Sequence, residues 1–114
     1  MNMKLRDLVN RVSIDPRKLT EYALHPDHPR GGHKARVFEA ALGYNQSNYQ
    51  SLLDQIADEA LESEVIPGQV DQFGQRVCVG LEVTGVEGQR VIVLSVWMIV
   101  SHGSEARLAT LYPK

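Results

Sequence analysis

The segment HPDHPRGGHKARVF, residues 25–38, concentrates side chains that can exchange protons near neutral pH or bind an anion. It holds three of the four histidines of the chain, three basic residues, two prolines and a Gly-Gly pair. An imidazole has an unperturbed pKa of about 6.5, so it can serve as an acid or a base. A Lys or Arg side chain can stabilise the charge of a phosphate. The segment therefore predicts metal-free acid–base chemistry on an anion.

Ribonuclease cleavage through the 2′-hydroxyl group would need little more than this. It requires a base, an acid for the leaving oxygen and a cation for the charge of the phosphorane. Six side chains of the turn and of the last predicted strand suit these roles: His28, His33, Lys34, Arg107, Thr110 and Tyr112. Which histidine would be the acid and which the base stays open. Joint action requires the turn and the strand to lie within about 10 Å of each other, because acid–base partners must reach hydrogen-bonding distance.

Other chemistries find less support in the sequence. His25 and His28 are three residues apart, but two prolines break any helix that would align them, so we predict no metal and no cofactor. Cys78 is the only cysteine and alternates with apolar residues, which favours a packed side chain over a nucleophile. The pair Gly31-Gly32 could present backbone N–H groups to an anion at a helix start. The full spacing of a phosphate-binding loop is absent.

Composition sets the class of protein. The chain has 114 residues, 43% of them hydrophobic, and a net charge of −2, which indicates one folded domain over residues 1–114. Residues 1–36 carry eight basic and four acidic residues, whereas residues 37–72 carry seven acidic residues and no basic one. The longest apolar run, residues 91–100, is about half the length of a membrane span. With no apolar signal core at the N-terminus, we expect a cytoplasmic location without membrane contact.

Hydrophobic periodicity predicts a helical half, residues 1–64, and a sheet, residues 74–113. Helices are expected to begin near Asp15, His33 and Ser47. Strands are expected over three segments, of which the first alternates between apolar and other residues: 75–85, 90–100 and 106–114. A short strand over 12–14 would add an edge. The predicted fold is an α+β domain whose N-terminal helices pack on a C-terminal antiparallel β-meander of three to four strands. The middle strand is apolar on both faces, so we expect both faces to be covered.

Residues 19–43, LTEYALHPDHPRGGHKARVFEAALG, resemble an uncharacterised bacterial domain family with the pattern L-x-x-Y-x-L-x-P-x-H-P-x-G-x-H-K-A-x-V-F-x-x-x-L-G. Three later features also resemble that family: Gly74–Arg76, Trp97, and the closing Arg107, Leu108, Thr110 and Tyr112. The family is more distantly similar to the toxin tips of contact-dependent growth-inhibition systems, which belong with ribonucleases of the barnase, colicin and RelE-like superfold.

This resemblance implies helices followed by an antiparallel sheet and a metal-independent ribonuclease, with tRNA as a candidate substrate. It also implies a neutralising protein partner. It assigns His28, His33 and Lys34 to the toxin-like turn, and Arg107, Thr110 and Tyr112 to the strand that faces this turn. The strand segment VWMIV departs from the pattern, since it carries no charge near the tryptophan.

A toxin-like ribonuclease is therefore the leading hypothesis, and two alternatives stay open. The first is a non-catalytic domain that binds an anion or a protein, or that forms a homodimer through its sheet. The second is a scaffold in which the turn only packs a helix onto the sheet through Tyr22, Phe38 and Trp97. Buried, hydrogen-bonded His28 and His33 would favour the scaffold, and solvent-lined imidazoles would favour catalysis.

Overall fold

Within the residues that the structure describes, the chain forms one sheet of five strands and two α-helices. The structure, a computed structural model, describes residues 3–30, 32–72, 74–100 and 104–113. The elements in chain order are β1 (Arg11–Ser13), α1 (Gly32–Leu42), α2 (Tyr49–Ala60), β2 (Val65–Asp71), β3 (Gly74–Thr84), β4 (Arg90–Val100) and β5 (Glu105–Pro113). A 3₁₀ turn at Leu5–Asp7 precedes β1, and a π-helical turn at Leu19–Ala23 follows it. In the described part of the chain, no helix has the length and apolar character needed to cross a membrane.

The strands lie in the order β1-β5-β4-β3-β2. The long hairpin of β3 and β4 is in register throughout, from Gly74 opposite Val100 to Thr84 opposite Arg90. Two further strands flank this hairpin: β2 runs antiparallel to β3, and β5 runs antiparallel to β4. Strand β1 runs parallel to β5 and pairs only with its first three residues, 105–107. The sheet is therefore mixed, and the outer edge of β5 lacks a strand partner from β1 beyond residue 107.

This architecture shows that the predicted fold class is wrong. The sheet has five strands rather than three or four, it contains a parallel pair, and it dominates over two short helices. The N-terminal segment contributes β1 as an edge strand, close to the short strand expected over 12–14, and β1 supplies the parallel pair. The first predicted helix is reduced to the π-helical turn, while α1 and α2 lie between β1 and β2 in the chain.

The sequence analysis did not predict strand β2, because Pro67-Gly68 has the composition of a turn. An edge strand tolerates a proline, since its missing N–H removes no hydrogen bond from the interior of a sheet. In this sheet β2 is the edge strand, and its register with β3 shifts between Pro67 and Val70. The Pro-Gly pair therefore produces an irregularity in an edge strand instead of a turn between two elements.

The helices cover one face of the sheet, and Trp97 lies at the centre of that core. Its indole Nε1 donates a hydrogen bond of 2.8 Å to Ser95 Oγ. The Ser95 hydroxyl in turn donates to the carbonyl oxygen of Val79 at 2.8 Å. Trp97 and Ser95 are both fully buried. Because buried polar groups are costly unless they are hydrogen-bonded, this pair explains why an apolar strand contains a serine.

Described residues of this chain cover the opposite face of the sheet only in part, so a full cover of this face would have to come from a ligand or a second subunit. Leu94 and Val96 are only half-buried on this face. Ile92 is 41% exposed and Ile66 is 61% exposed. We refer to this surface of β2–β5 as the open face.

Glu105 of β5 forms ion pairs with Arg11 of β1 and with Arg107. These ion pairs predict a pH-dependent contribution to the stability of the fold. Hydrogen bonds from Arg107 and Arg11 hold the pKa of the Glu105 carboxyl below its usual value. Such a carboxylate stabilises the fold above its unfolded pKa and loses this effect as the pH falls through its folded pKa. We expect Glu105→Gln to lower the melting temperature at pH 7, with the difference from wild type shrinking below about pH 4.

Thermal unfolding followed by circular dichroism at pH 7 and at pH 3 measures this effect. Glu87→Gln is the matched control, because Glu87 lies in the exposed β3–β4 loop and forms no ion pair with a described residue. A melting-temperature difference for Glu105→Gln that is equally large at both pH values would contradict the assignment.

Candidate functional site

A closed turn between the π-helical turn and α1 positions two histidines. His25 ends the helical turn, because the residue before a proline is pushed out of helical geometry. The N–H of His28 donates to the carbonyl oxygen of His25 at 3.2 Å, and the N–H of Gly32 donates to that of His28 at 2.9 Å. A Cβ atom on Gly32 would lie 2.5 Å from the carbonyl oxygen of Pro26. The first residue of α1 therefore lies so close to the backbone of Pro26 that only glycine fits at position 32.

The hydrogen bonds of the turn also fix the tautomers of both imidazoles. Nδ1 of His25 accepts the N–H of Asp27 at 3.1 Å, and Nδ1 of His28 accepts the N–H of Arg30 at 3.0 Å. A neutral imidazole that accepts at Nδ1 carries its proton on Nε2. The Nε2–H groups of His25 and His28 are therefore hydrogen-bond donors, which suits the binding of an anion.

Lys34 connects this turn to the last strand. Its Nζ donates a hydrogen bond of 3.1 Å to Thr110 Oγ1. The same Nζ lies 5.0 Å from the centroid of the Tyr22 ring and 5.5 Å from that of the Tyr112 ring. Both distances are within the range of about 6 Å over which a cation is attracted to an aromatic face. An ammonium has three donors, so this half-buried group keeps capacity for a further acceptor.

A row of rings extends from Lys34 into the turn. The Tyr22 and His28 rings meet edge to face, with centroids 4.7 Å apart, and the rings of His25 and His28 lie 6.3 Å apart. His28 thus reaches Lys34 through the ring of Tyr22. We call the following set the lysine cluster: Tyr22, His25, His28, Lys34, Thr110 and Tyr112.

The lysine cluster contains four of the six predicted site residues: His28, Lys34, Thr110 and Tyr112. The contact between Lys34 and Thr110 meets the requirement that the turn and the last strand lie close together. Of the two histidines named for the scaffold alternative, His28 is half-buried and His33 is exposed.

His33 and Arg107 lie outside the cluster. His33 precedes Lys34 by one residue, so its side chain leaves the helix about 100° away from that of Lys34. Arg107 is exposed, and its Nε donates to Glu105 at 3.1 Å. It nevertheless shares a face of β5 with Thr110, since these residues pair with Met98 and Val96 on β4.

Tyr22 and His25 are the two cluster members outside the six predicted site residues, and an α-helical spacing would place Tyr22 on the buried side of its segment with Leu19 and Ala23. Both of those residues are fully buried, whereas Tyr22 is half-buried against Lys34. The N–H of Leu24 donates to Leu19 at 2.7 Å, which is the wide i→i+5 turn of a π-helix. This wider turn rotates Tyr22 away from the position that an α-helical spacing assigns to it.

A cleft elsewhere in the domain is lined by residues outside the lysine cluster, and the described residues form no metal-binding group. No three His, Cys, Asp or Glu side chains in this part of the chain are grouped so that they could hold a metal ion. A cleft of about 240 Å³ lies between α1 and the segment before α2, and Pro26, Arg36, Glu39 and Gln46 help to line it. None of the six predicted site residues lines this cleft.

The fold and the cluster define a small sheet-based domain with a half-buried lysine at the edge of its last strand. The model of the family described as "Domain of unknown function (DUF6883)" matches residues 4–114, and the chain belongs to that family. No curated protein and no solved structure matches the chain. The expected membership of an uncharacterised domain family is therefore confirmed. The resemblance to growth-inhibition toxins stays a prediction.

The close approach at Gly32 predicts a specific loss of stability. Gly32→Ala would press a methyl group against the backbone of Pro26, and we expect the free energy of unfolding to fall by about 1–3 kcal/mol. Gly80→Ala is the matched control, because its Cβ atom would lie 3.6 Å from Ile92 Cγ2, an ordinary contact. That variant should stay within about 0.5 kcal/mol of wild type. Urea unfolding of the two variants makes the comparison, and equal losses would contradict the constraint.

Proposed function

We propose that this chain is a toxin-like, metal-independent ribonuclease whose phosphate-binding centre is the lysine cluster. The observation that supports this proposal is the 3.1 Å contact of Lys34 Nζ with Thr110 Oγ1. It brings the histidine-bearing turn and the closing strand to one point, as a shared phosphate would require. No described carboxylate forms an ion pair with Lys34, so its charge is available to an anion.

The cluster supplies donors for the oxygens of a phosphodiester. Lys34 offers an ammonium, and the hydrogen bond at Nδ1 leaves His28 with a donating Nε2–H. Thr110 and Tyr112 add hydroxyl groups. Such preorganised donors stabilise the negative charge that develops on a phosphorane, because they need no reorientation during the reaction.

In the proposed reaction the 2′-oxygen forms a bond to phosphorus while the bond from phosphorus to the 5′-oxygen breaks. The proton of the 2′-hydroxyl passes to a base, and the leaving 5′-oxygen receives a proton. We assign the base to His33, because its exposed imidazole is held by no hydrogen bond from a described residue and follows the turn directly. Tyr112, whose ring flanks Lys34 and is 37% exposed, is the proton donor. Arg107, on the same face as Thr110, is a second phosphate contact.

The test is cleavage of purified tRNA in the presence of EDTA, with products read on a denaturing gel. Wild type should produce fragments that end in a 2′,3′-cyclic phosphate. Lys34→Ala should reduce the rate by about 100-fold or more, the usual cost of removing a donor to the transition-state charge. Lys18→Ala removes the same charge from an exposed position outside the cluster and should keep the wild-type rate. tRNA that stays intact with the wild-type protein would refute the enzymatic proposal.

The roles of the two histidines are separable by substitution. His28→Gln keeps a side chain that can donate a hydrogen bond, so it should retain more of the cleavage rate than His28→Ala. His33→Gln cannot serve as a base, so it should be as slow as His33→Ala. Cleavage rates of the four variants decide the assignment, and recovery of the rate in His33→Gln would contradict it.

In cells, a ribonuclease of this kind requires a neutralising protein partner. The cationic groups of the cluster fit a partner with an acidic surface that covers Lys34. Induced expression of wild type should stop growth, while Lys34→Ala should permit it. Equal growth of the two strains, with intact tRNA throughout, would contradict the toxin-like role.

One observation favours a second candidate function, a non-catalytic domain that binds a phosphate or carboxylate group. The Nδ1 atoms of His25 and His28 both accept backbone N–H groups, so the lone-pair nitrogen of each imidazole is used within the turn and Nε2–H is the group that can bind a ligand. Under this alternative, Lys34→Ala weakens the binding of RNA or inorganic phosphate, and no RNA is cut. The tRNA assay separates the two functions.

A further inference from the structure

The open face continues directly from the lysine cluster. Residues paired across β3, β4 and β5 form rows on this face, and the pairing fixes which side chains are neighbours. The three rows nearest the cluster are Arg76–Met98–Arg107, Cys78–Val96–Thr110 and Gly80–Leu94–Tyr112. Thr110 and Tyr112, which contact Lys34, therefore end the second and third rows.

The floor of these rows is apolar and accessible. Leu94, Val96 and Met98 are half-buried at its centre, and Tyr112 is 37% exposed at its edge. Gly80 has no side chain, so the floor beside Leu94 is low. Flat apolar and aromatic surfaces of this kind accept stacked nucleobases without regard to sequence, because every base has a π-face.

Cations border the floor on two sides. Arg76 and Arg107 flank Met98 in the first row, about 10 Å apart across two strand spacings. Lys34 lies over the ends of the other two rows. Arg76 is exposed and forms no ion pair with a described residue.

Glu64, which precedes β2 on the side of the open face, lies across β3 and β4 from the cluster, and the acidic groups of β5 and β3 are paired with arginines. Glu105 lies beyond Arg107 and is shared by Arg107 and Arg11, so two cations face one carboxylate there. Glu82 lies at the far end of the sheet and is paired with Arg90 at 2.7 Å. The end of the open face next to the cluster is therefore suited to a polyanion.

We propose that the open face binds a single-stranded RNA segment, with its phosphates at Lys34, Arg76 and Arg107 and its bases on the apolar floor. Arg76 is then a substrate-binding residue that lies outside the cleavage centre. This inference rests on the proposed function for the choice of RNA and adds that the substrate is single-stranded. A duplex is excluded because its bases are stacked inside the helix and cannot reach the floor.

Fluorescence anisotropy with a labelled 12-nucleotide RNA tests the proposal, with 2′-O-methyl riboses that prevent cleavage. Arg76→Gln should weaken binding by about 3- to 10-fold and lower the slope of log K against log salt by about 0.7, the value for one phosphate contact on a single strand. Arg36→Gln is the matched control, since Arg36 is an exposed arginine on α1 that forms no described ion pair. It should change the affinity less than 2-fold, and the same sequence as a duplex should bind at least 10-fold more weakly.

The single cysteine gives a second readout inside the proposed footprint. Cys78 lies in the second row beside Val96, and it is the only thiol in the chain. The 2′-O-methyl RNA should slow its alkylation by iodoacetamide, and Arg76→Gln should reduce this protection at a given RNA concentration. Alkylation that RNA leaves unchanged would overturn the proposal.

The outcomes separate this inference from its rivals. If the open face instead pairs with a second copy of the chain, Cys78 alkylation will slow with rising protein concentration in the absence of RNA, and the mass in sedimentation will double. That result would overturn the proposal. RNA binding of the expected pattern without cleavage of natural RNA would leave the inference standing and remove the ribonuclease. Cleavage with equal affinities for Arg76→Gln and Arg36→Gln would do the reverse.

Discussion

The cluster depends on one close contact, between the start of α1 and the carbonyl oxygen of Pro26. Only a residue without a Cβ atom can approach a backbone oxygen this closely, and Gly32 is that residue. The contact fixes the direction in which α1 leaves the turn. Phe38, fully buried one turn after Lys34, then anchors the same side of the helix in the core. The stem of Lys34 follows this buried side, and its ammonium emerges at the edge of β5.

The edge of β5 is available because β1 is short. Strand β1 pairs with residues 105–107 and ends, so the remainder of β5 is left to the π-helical turn and α1, both of which contact it. A longer β1 would occupy the position from which Lys34 reaches Thr110. The short length of β1 therefore allows Lys34 to reach the last strand. The proposed shared ligand of the turn and the last strand depends on this feature of the sheet topology.

Strong local patterns were predictable from the sequence, and pairings between distant segments were not. Helix α1 and its left-handed C-terminal residue, Gly43 at φ +79°, follow from apolar spacing and a glycine stop. The three long strands follow from their apolar patterns, which alternate in β3 and are continuous in β4. Strand β1 pairs with residues more than ninety positions away, and no local pattern reveals a parallel partner at that distance. Residue types placed Lys34, Thr110 and Tyr112 among the candidates, but the rotation of Tyr22 depends on a π-helical turn that periodicity does not show.

The environment of Lys34 differs from that of the other paired cations in the described chain. Arg6, Arg17 and Arg90 each bind a carboxylate, which cancels their charge at the surface. Lys34 is held by a hydroxyl and by the faces of two aromatic rings instead. Aromatic faces attract a cation without neutralising it. The cluster therefore positions a half-buried ammonium that no described carboxylate neutralises, and the proposed anion-binding role rests on this arrangement.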